Sequence, residues 1–242
     1  FKTKSIKANS PTEIGDLIAS LAELVPINIK LFSDLCDSIA SLCIDREFVQ
    51  FTDEAIETVS NLILKYLEQR TFDPSTGLRA LSTLLYNNTL RLVQKHQRIL
   101  EIAIALSTYS DDSYRRSCVL IGNLNAFSEK HNERSIYVKS IRFLLTALGA
   151  TASNSTATND LHSSALRSIQ LLILDAPTEI LDPQSLTHTI ASIAFKTKQL
   201  NLVFEAVMAL KALANTCKKA FYAQWSLLLI KTPSLFDLLR SN

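Results

Sequence analysis

The sequence predicts an all-α protein whose helices stack side by side into one elongated array. Three observations predict this fold: a shortage of turn residues, an apolar periodicity typical of amphipathic helices, and an internal repeat of about 40 residues. Glycine (4) and proline (6) together supply only 10 of the 242 residues. Because hairpins and phosphate-binding loops depend on such residues, the composition argues against an all-β fold, a dinucleotide-binding fold and a P-loop enzyme.

Proline and capping residues mark the helix starts in the N-terminal half. Pro11 opens the first helix, Thr52 opens another with an acidic first turn, and Asp73 stands before an early helical proline. Ser110 begins a helix that we expect to end near Lys130. The predicted helices of this half cover residues 11–25, 27–44, 53–70, 74–88, 89–107 and 111–130.

The C-terminal half contains the one low-complexity stretch of the chain. Gly149 is the predicted C-cap of a helix over residues 133–148. The following segment, residues 150–160, is rich in Ser, Thr and Asn, and we expect it to form a mobile surface loop. Further helices are predicted over residues 161–174, 183–195, 200–216 and 218–230, and from Pro233 onward.

Several predicted helices share one frame, in which a small residue is followed four and seven positions later by apolar residues. Offsets 0, 4 and 7 fall on one side of a helix, so we expect all three residues to be buried. The small residue lets a neighbouring helix approach closely. The frame occurs at Cys36/Ala40/Cys43, Gly77/Leu81/Leu84, Ser117/Ile121/Leu124, Ala165/Ile169/Leu172 and Ala206/Leu210/Leu213.

The period of this frame is that of helix-pair repeats, so the sequence predicts a right-handed α-solenoid. We expect residues 1–242 to form a single array of about five to six helix pairs. The mobile loop at residues 150–160 would then be an insertion of about eight residues in one repeat. Because the chain starts without Met, we also expect it to be a fragment of a longer protein.

Some segments resemble known helical-repeat families. Asp111–Leu124 is similar to the turn and second helix of a HEAT repeat, in which an Asp precedes an apolar–Arg pair, here Tyr114–Arg115. Gly122–Leu124 looks armadillo-like. The resemblance implies a HEAT/armadillo solenoid in which the Asp and the Arg are structural. More narrowly, four segments resemble the N-terminal region of the HEAT repeat-containing protein 6 family: Gly77–Asn88, Arg115–Leu124, Ala165–Leu174 and Val207–Ile230.

No arrangement of residues in the sequence predicts catalysis or metal binding. The nucleophile-elbow, dinucleotide-binding and P-loop motifs are absent, and the four histidines are far apart. The cysteines lie in apolar runs without a CxxC pair, as structural thiols of an intracellular protein do. We therefore expect no catalytic residue, metal or cofactor, and a protein that is not an enzyme. These cysteines are Cys36, Cys43, Cys118 and Cys217.

The inner face of the array is the predicted binding surface. Offsets 2, 5 and 9 from the small frame residue point away from the core, and three of four such sets contain a basic residue. We expect a shallow, mildly basic concave strip that binds an acidic or helical protein segment, and the alternative is an ordinary solvated helix face. Asn123 lies six positions after the small residue, where armadillo proteins resemble one another in an asparagine that binds extended peptide backbone. The other repeats lack this asparagine, so we do not expect that mode of binding. The candidate residues are Arg79, Tyr86, Asn123, Arg167, Gln170, Lys211 and Asn215.

A dense aromatic and leucine cluster near the C-terminus predicts a second buried or binding surface. Such a cluster is not normally left exposed, so either further repeats cover it or it is an interface, and we favour further repeats. Its aromatic residues are Phe221, Tyr222, Trp225 and Phe236.

These patterns predict a non-catalytic scaffold that binds a protein partner on a curved helical surface. One alternative is a nucleic-acid-binding helical repeat, which a net charge of +2 supports poorly. Another alternative is a fragment of a nuclear-transport-receptor-like protein. We predict no membrane-spanning segment and an intracellular location, in the cytoplasm or the nucleus. The partner and the oligomeric state are left open.

Overall fold

The computed structural model describes residues 10–43, 49–70, 72–126, 128, 131–229, 234 and 237. This part of the chain is helical and contains no strand, which confirms the predicted all-α fold. The α-helices are α1 (Pro11–Leu24), α2 (Leu31–Leu42), α3 (Asp53–Gln69), α4 (Pro74–Asn88), α5 (His96–Leu106), α6 (Asp111–Asn125), α7 (Arg134–Gly149), α8 (Ser155–Asp175), α9 (Pro183–Lys196), α10 (Leu200–Cys217), α11 (Lys219–Tyr222) and α12 (Trp225–Leu229).

The helices begin where short polar side chains satisfy the free backbone N–H groups of a first turn. Ser10 and Glu13 form a capping box at the start of α1. The side chains of Thr52, Asp73 and Ser110 accept hydrogen bonds from the first turns of α3, α4 and α6, as the sequence predicts. A short 3-10 segment, Leu90–Lys95, connects α4 to α5.

The helices form two layers, with the even-numbered helices α2 to α10 in one and the odd-numbered helices α1 to α9 in the other. Each odd helix and the even helix after it form one of five pairs within the described residues. Consecutive even helices pack closely on one another, whereas consecutive odd helices touch less extensively. The even helices therefore lie on the inner, concave side of the array, and the odd helices lie on the outer side.

The frame predicted from the sequence is buried in all five inner helices, and its fifteen residues face the core. The small residues permit close approach between helices. The hydroxyl of Ser117 in α6 donates to the carbonyl oxygen of Ala103 in α5, at 2.8 Å. A Cβ atom added to Gly122 in α6 would lie 2.5 Å from Oγ of Ser168 in α8, so the α6–α8 contact requires glycine there.

The predicted mobile loop at residues 150–160 is wrong over most of its length, because α8 begins at Ser155. The side chain of Asn154 accepts a hydrogen bond from the backbone N–H of Ala157, at 2.8 Å, and caps the helix. The backbone N–H of Ser153 donates to Asp111 in the preceding repeat, at 2.9 Å. Residues 155–160 therefore belong to α8, which has 21 residues, instead of forming a loop.

Two other predicted helices differ in their ends. The helix predicted to reach Lys130 ends at Asn125, and the backbone is already extended at Ala126. The single helix predicted over residues 218–230 is two short helices, α11 and α12, and Lys218 before them has a positive φ of 43°. The helix start predicted at Pro233 lies outside the described residues.

Helix α10 is the one described helix that is long and apolar enough to cross a membrane, judged by length and composition alone. It packs against α8 and α9, and 44% of its apolar window is buried there, as is expected of a helix in the core of an array. The absence of a membrane-spanning segment stays a prediction.

Candidate functional site

Three predicted site residues meet in a groove between α4 and α6 on the inner face. Arg79 and Tyr86 of α4 and Asn123 of α6 line this depression, which has a volume of about 260 Å³. We call it the inner groove, and its other lining residues are Ala40, Ser82, Thr83, Arg116 and Val119.

The inner groove carries an excess of positive charge. Arg116 lies 3.5 Å from the Asp112 carboxylate, which Arg115 contacts more closely, at 2.6 Å. Arg79 has no ion-pair partner among the described residues. Burial, with the guanidinium groups of Arg115 and Arg79, lowers the pKa of Arg116, and Asp112 offsets this effect only in part. Arg115 and Arg116 therefore share one carboxylate while Arg79 has none among the described residues, so an anionic ligand would be attracted.

Asn123 is held in place by the neighbouring inner helix. Its side-chain amide donates to the carbonyl oxygen of Ser82 at 3.0 Å and to the Ser82 hydroxyl at 2.9 Å. Both hydrogen bonds cross from α6 to α4. The Asn123 amide nitrogen is thus occupied within the protein, whereas its carbonyl oxygen is the atom left to meet a ligand.

The remaining candidates of the strip lie on α8 and α10 and do not line the inner groove. Nε of Arg167 lies 2.6 Å from Oε1 of Glu205, whose side chain is only 10% exposed. Gln170 is half-buried, while Lys211 and Asn215 are exposed. The positive charge of Arg167 is therefore neutralised within the protein, so Arg167 adds little to the mildly basic strip expected from the sequence.

The frame explains which residues meet. Positions can be counted from the small frame residue of each inner helix. Position +2 of one helix then lies beside position −1 of the next inner helix. This relation brings Arg79 to Arg116, whose charges interact, and Arg167 to Glu205. Periodicity does not identify Arg116 as a groove residue, because it assigns residues to the faces of one helix and not to contacts between helices. A spacing of 37 or 38 residues, slightly below the repeat length, is the signal that could have found it.

The aromatic cluster near the C-terminus is partly buried. Phe221 is buried and packs edge-to-face on Trp225, with ring centroids 5.8 Å apart and an interplanar angle of 76°. Tyr222 is 66% exposed. Phe236 lies outside the described residues.

The described residues show no arrangement suited to covalent or metal chemistry. Among them, no group of three or more His, Cys, Asp or Glu side chains could hold a metal ion. Burial raises the pKa of Cys36, Cys43 and Cys118 to about 12, so these thiols remain protonated and unreactive. His96 is buried in α5, where its ring nitrogens contact the side-chain oxygen of Asn132 and the carbonyl oxygen of Thr89. The expectation that the protein is not an enzyme and needs no cofactor stays a prediction.

Comparison with known proteins identifies the fold. Neither a family model nor a curated protein matches the sequence. A designed armadillo repeat protein, solved in complex with the peptide (KR)4, is similar with a TM-score of 0.60 and 14% identity, over 84% of this chain and 87% of that chain. An engineered protein from the Northeast Structural Genomics Consortium is similar with a TM-score of 0.61 and 13% identity, over 92% of this chain and 94% of that chain.

These similarities confirm an all-α helical-repeat solenoid. A third solved structure, also an engineered protein, has a TM-score of 0.58 and 15% identity, over 92% of this chain and 96% of that chain. At such identities the likeness concerns the fold alone. The narrower resemblance to the HEAT repeat-containing protein 6 family is not shown and stays a prediction.

Proposed function

We propose that the protein is a non-catalytic scaffold that binds an acidic segment of a partner protein on its inner face. The observation that carries the proposal is the inner groove, where Arg116 shares the Asp112 carboxylate with Arg115 and Arg79 has no ion-pair partner within the described part of the chain. Carboxylates of a partner segment would complete the charge balance that the chain itself leaves incomplete. Two guanidinium groups also give directional hydrogen bonds to such carboxylates.

The size and lining of the inner groove favour a polypeptide segment over a small ligand. A volume of about 260 Å³ admits one or two side chains, while the rest of a bound segment would run along the neighbouring inner helices. Tyr86 is 42% exposed and offers a flat aromatic surface beside the two arginines. The designed armadillo protein with this fold binds a basic peptide, and we propose that this chain binds a segment of the opposite charge.

We place this scaffold inside the cell, in the cytoplasm or the nucleus. Cys36, Cys43 and Cys118 are free and buried, and Cys217 is free and half-buried. Free thiols in this number are typical of proteins from a reducing compartment.

Titration with short labelled peptides tests the proposed function. An alternating Asp-Glu octapeptide is expected to bind, whereas (KR)4 is not, and binding is read by fluorescence anisotropy at low salt. Replacing both inner-groove arginines, Arg79→Gln with Arg116→Gln, should weaken the acidic peptide about tenfold. The charge-matched control, Lys65→Gln with Arg134→Gln, changes two exposed residues of the outer helices and should leave the affinity within about twofold.

A third probe separates a protein partner from a nucleic acid. A single-stranded oligonucleotide of equal charge is expected to bind more weakly than the acidic peptide, because phosphate binding depends on many clustered cations and the net charge is only +2. If the oligonucleotide binds tighter, or if the inner-groove variant keeps full affinity for the acidic peptide, the proposed function is wrong.

A further inference from the structure

The outer layer carries two apolar grooves, one on each side of α7. The α5–α7 groove has a volume of about 460 Å³, and its apolar lining comes from Ile104, Tyr114 and Phe143. The α7–α9 groove has a volume of about 480 Å³, and its apolar lining comes from Val138, Ile141, Leu145, Ile180 and Leu186. Arg142 and Thr146 line both grooves, so α7 is a ridge between them.

The neighbouring outer contact, between α3 and the segment that leads into α5, has a different character. Three ion pairs connect the two there: Arg91 with Asp53, Lys95 with Glu57, and Arg98 with Glu68. Between α5 and α7 the described residues provide only Lys139 and Glu101, at 3.7 Å, and between α7 and α9 they provide no ion pair. The surface around α7 is thus apolar in its grooves, and its described residues form fewer ion pairs than the preceding outer contact does.

The charge at the ridge is positive. Arg142 is exposed and has no ion-pair partner within the described part of the chain. The carboxylate among the lining residues, Asp182, accepts hydrogen bonds from the backbone N–H groups of Gln184 and Ser185 at the start of α9. Among the described residues no ion pair joins Asp182 to Arg142, so Arg142 remains available to an acidic group that arrives from outside.

The spacing of the grooves selects a helical ligand. Packed helices have axes about 8–10 Å apart, and the outer helices touch less extensively than the inner ones, so the two grooves beside α7 are separated by at least the upper end of this range, about 10 Å. Residues i and i+7 of an α-helix lie on one face and are about 10.5 Å apart along its axis. A helix that crosses α7 can therefore place one large apolar side chain in each groove, and its residue at i+3 or i+4 then lies over Arg142.

We propose that the α7 ridge is a second docking site, separate from the inner groove, which binds an amphipathic helix of a partner protein. The helix carries large apolar residues at i and i+7 and a glutamate or aspartate at i+3 or i+4. The apolar side chains enter the α5–α7 and α7–α9 grooves, and the carboxylate pairs with Arg142. This arrangement lets the array hold one segment on each side.

A designed peptide tests this proposal. The probe is an alanine-rich helical peptide of about twenty residues with one Leu–x3–Glu–x2–Leu segment, long enough to be helical in water. Titration of the fluorescently labelled probe should give saturable binding. Arg142→Glu should weaken it about tenfold, and a probe with Lys in place of the Glu should regain most of that loss on the same variant.

Two controls make the outcome specific to the α7 ridge. Arg134→Glu makes the same charge change on an exposed residue in the first turn of α7, and it should leave affinity within about twofold. The inner-groove variant, Arg79→Gln with Arg116→Gln, should bind the helical probe as the wild type does, whatever it does to the acidic octapeptide. No saturable binding of the probe, equal loss in both α7 variants, or failure of the charge-swapped pair to recover would overturn the proposal.

Discussion

The contact between α4 and α6 and the contact between α8 and α10 place the same two frame positions side by side, with opposite results. At the first contact the pair is Arg79 with Arg116, and burial, the charge of Arg115 and, to a smaller extent, the charge of Arg79 lower the pKa of Arg116. At the second contact the pair is Arg167 with Glu205, which lie 2.6 Å apart. The two contacts thus differ in the sign of one charge, that of Arg116 or Glu205. The first contact attracts an anion, whereas the charges of the second contact pair with each other.

The difference shows how a repeat array can localise binding while keeping one scaffold. The frame residues that hold the helices together are buried at both contacts, so packing is the same in kind. The variable positions lie at the solvent edge of each contact, where a charge change costs little stability. A charge change at one contact can therefore alter binding specificity without altering the packing of the neighbouring contacts.

The largest effect is expected from disturbing the α6–α8 contact, which lies between the two contacts compared above. Gly122→Val places a side chain where Ser168 leaves no room, because an added Cβ would lie 2.9 Å from the Ser168 Cα atom. We expect the free energy of unfolding in urea to fall by about 3 kcal/mol. The control is Gly149→Ala, whose new Cβ meets nothing within 4 Å and should change stability by at most about 1 kcal/mol, on the stabilising side. Equal stability of the two variants would show that α6 and α8 do not pack as described.

A smaller effect is expected from making the second contact resemble the first. Glu205→Gln removes the carboxylate that neutralises Arg167, and the exposed position of Arg167 limits the loss of stability to about 1 kcal/mol. The released positive charge should strengthen binding of the acidic octapeptide by about threefold. Glu68→Gln removes a carboxylate from the Arg98 ion pair on the outer layer and should leave that affinity unchanged. An unchanged affinity in Glu205→Gln would argue against charge pairing as the determinant.

The smallest effect is expected from acidification, and it should fall on one half of the array. Burial lowers the pKa of His96 in α5, although hydrogen bonds to Asn132 and Thr89 oppose the shift. The folded state therefore binds fewer protons than the unfolded state, whose histidine pKa is about 6.5. Stability is complete above that pH and falls as the pH drops below it.

Hydrogen exchange can locate this loss. We expect the hydrogen-exchange protection of amides in α5 and α6 to fall when the pH is lowered from 7.5 to 5.5, after correction for intrinsic exchange rates. Protection in α9 and α10 should fall less, because the histidine there, His188, is exposed. His96→Gln should remove the difference between the halves. A uniform loss of protection along the chain would contradict the assignment to His96.

Much of the fold could be predicted from local sequence, because helix starts and buried faces depend on residues close in the chain. Thr52, Asp73 and Ser110 cap the helices that they were expected to cap. The five frames are buried for the same reason, since offsets within one helix fix which residues share a face. The error at residues 150–160 arose because Ser, Thr and Asn favour both loops and helix caps, and Asn154 turned out to be a cap.

The candidate site could be predicted only in part, because it depends on how one helix lies against the next. Periodicity predicts Arg79 and Tyr86 on the inner face, the armadillo-like position predicts Asn123 there, and the inner groove contains all three. It could not reveal that Arg116 joins them or that Glu205 neutralises Arg167. Both relations join residues from different repeats, and the stagger between neighbouring helices decides them.

Whether charge pairing localises binding is tested most directly by two neutralised variants of the inner face that lose the same charge. One variant carries Arg79→Gln and Arg116→Gln, the other carries Arg167→Gln and Lys211→Gln, and both are titrated with the acidic octapeptide at one ionic strength. We predict that the first variant binds about tenfold more weakly than the wild type and that the second stays within about twofold. Equal losses in the two variants, or the larger loss in the second, would contradict the claim that charge pairing between neighbouring helices localises binding.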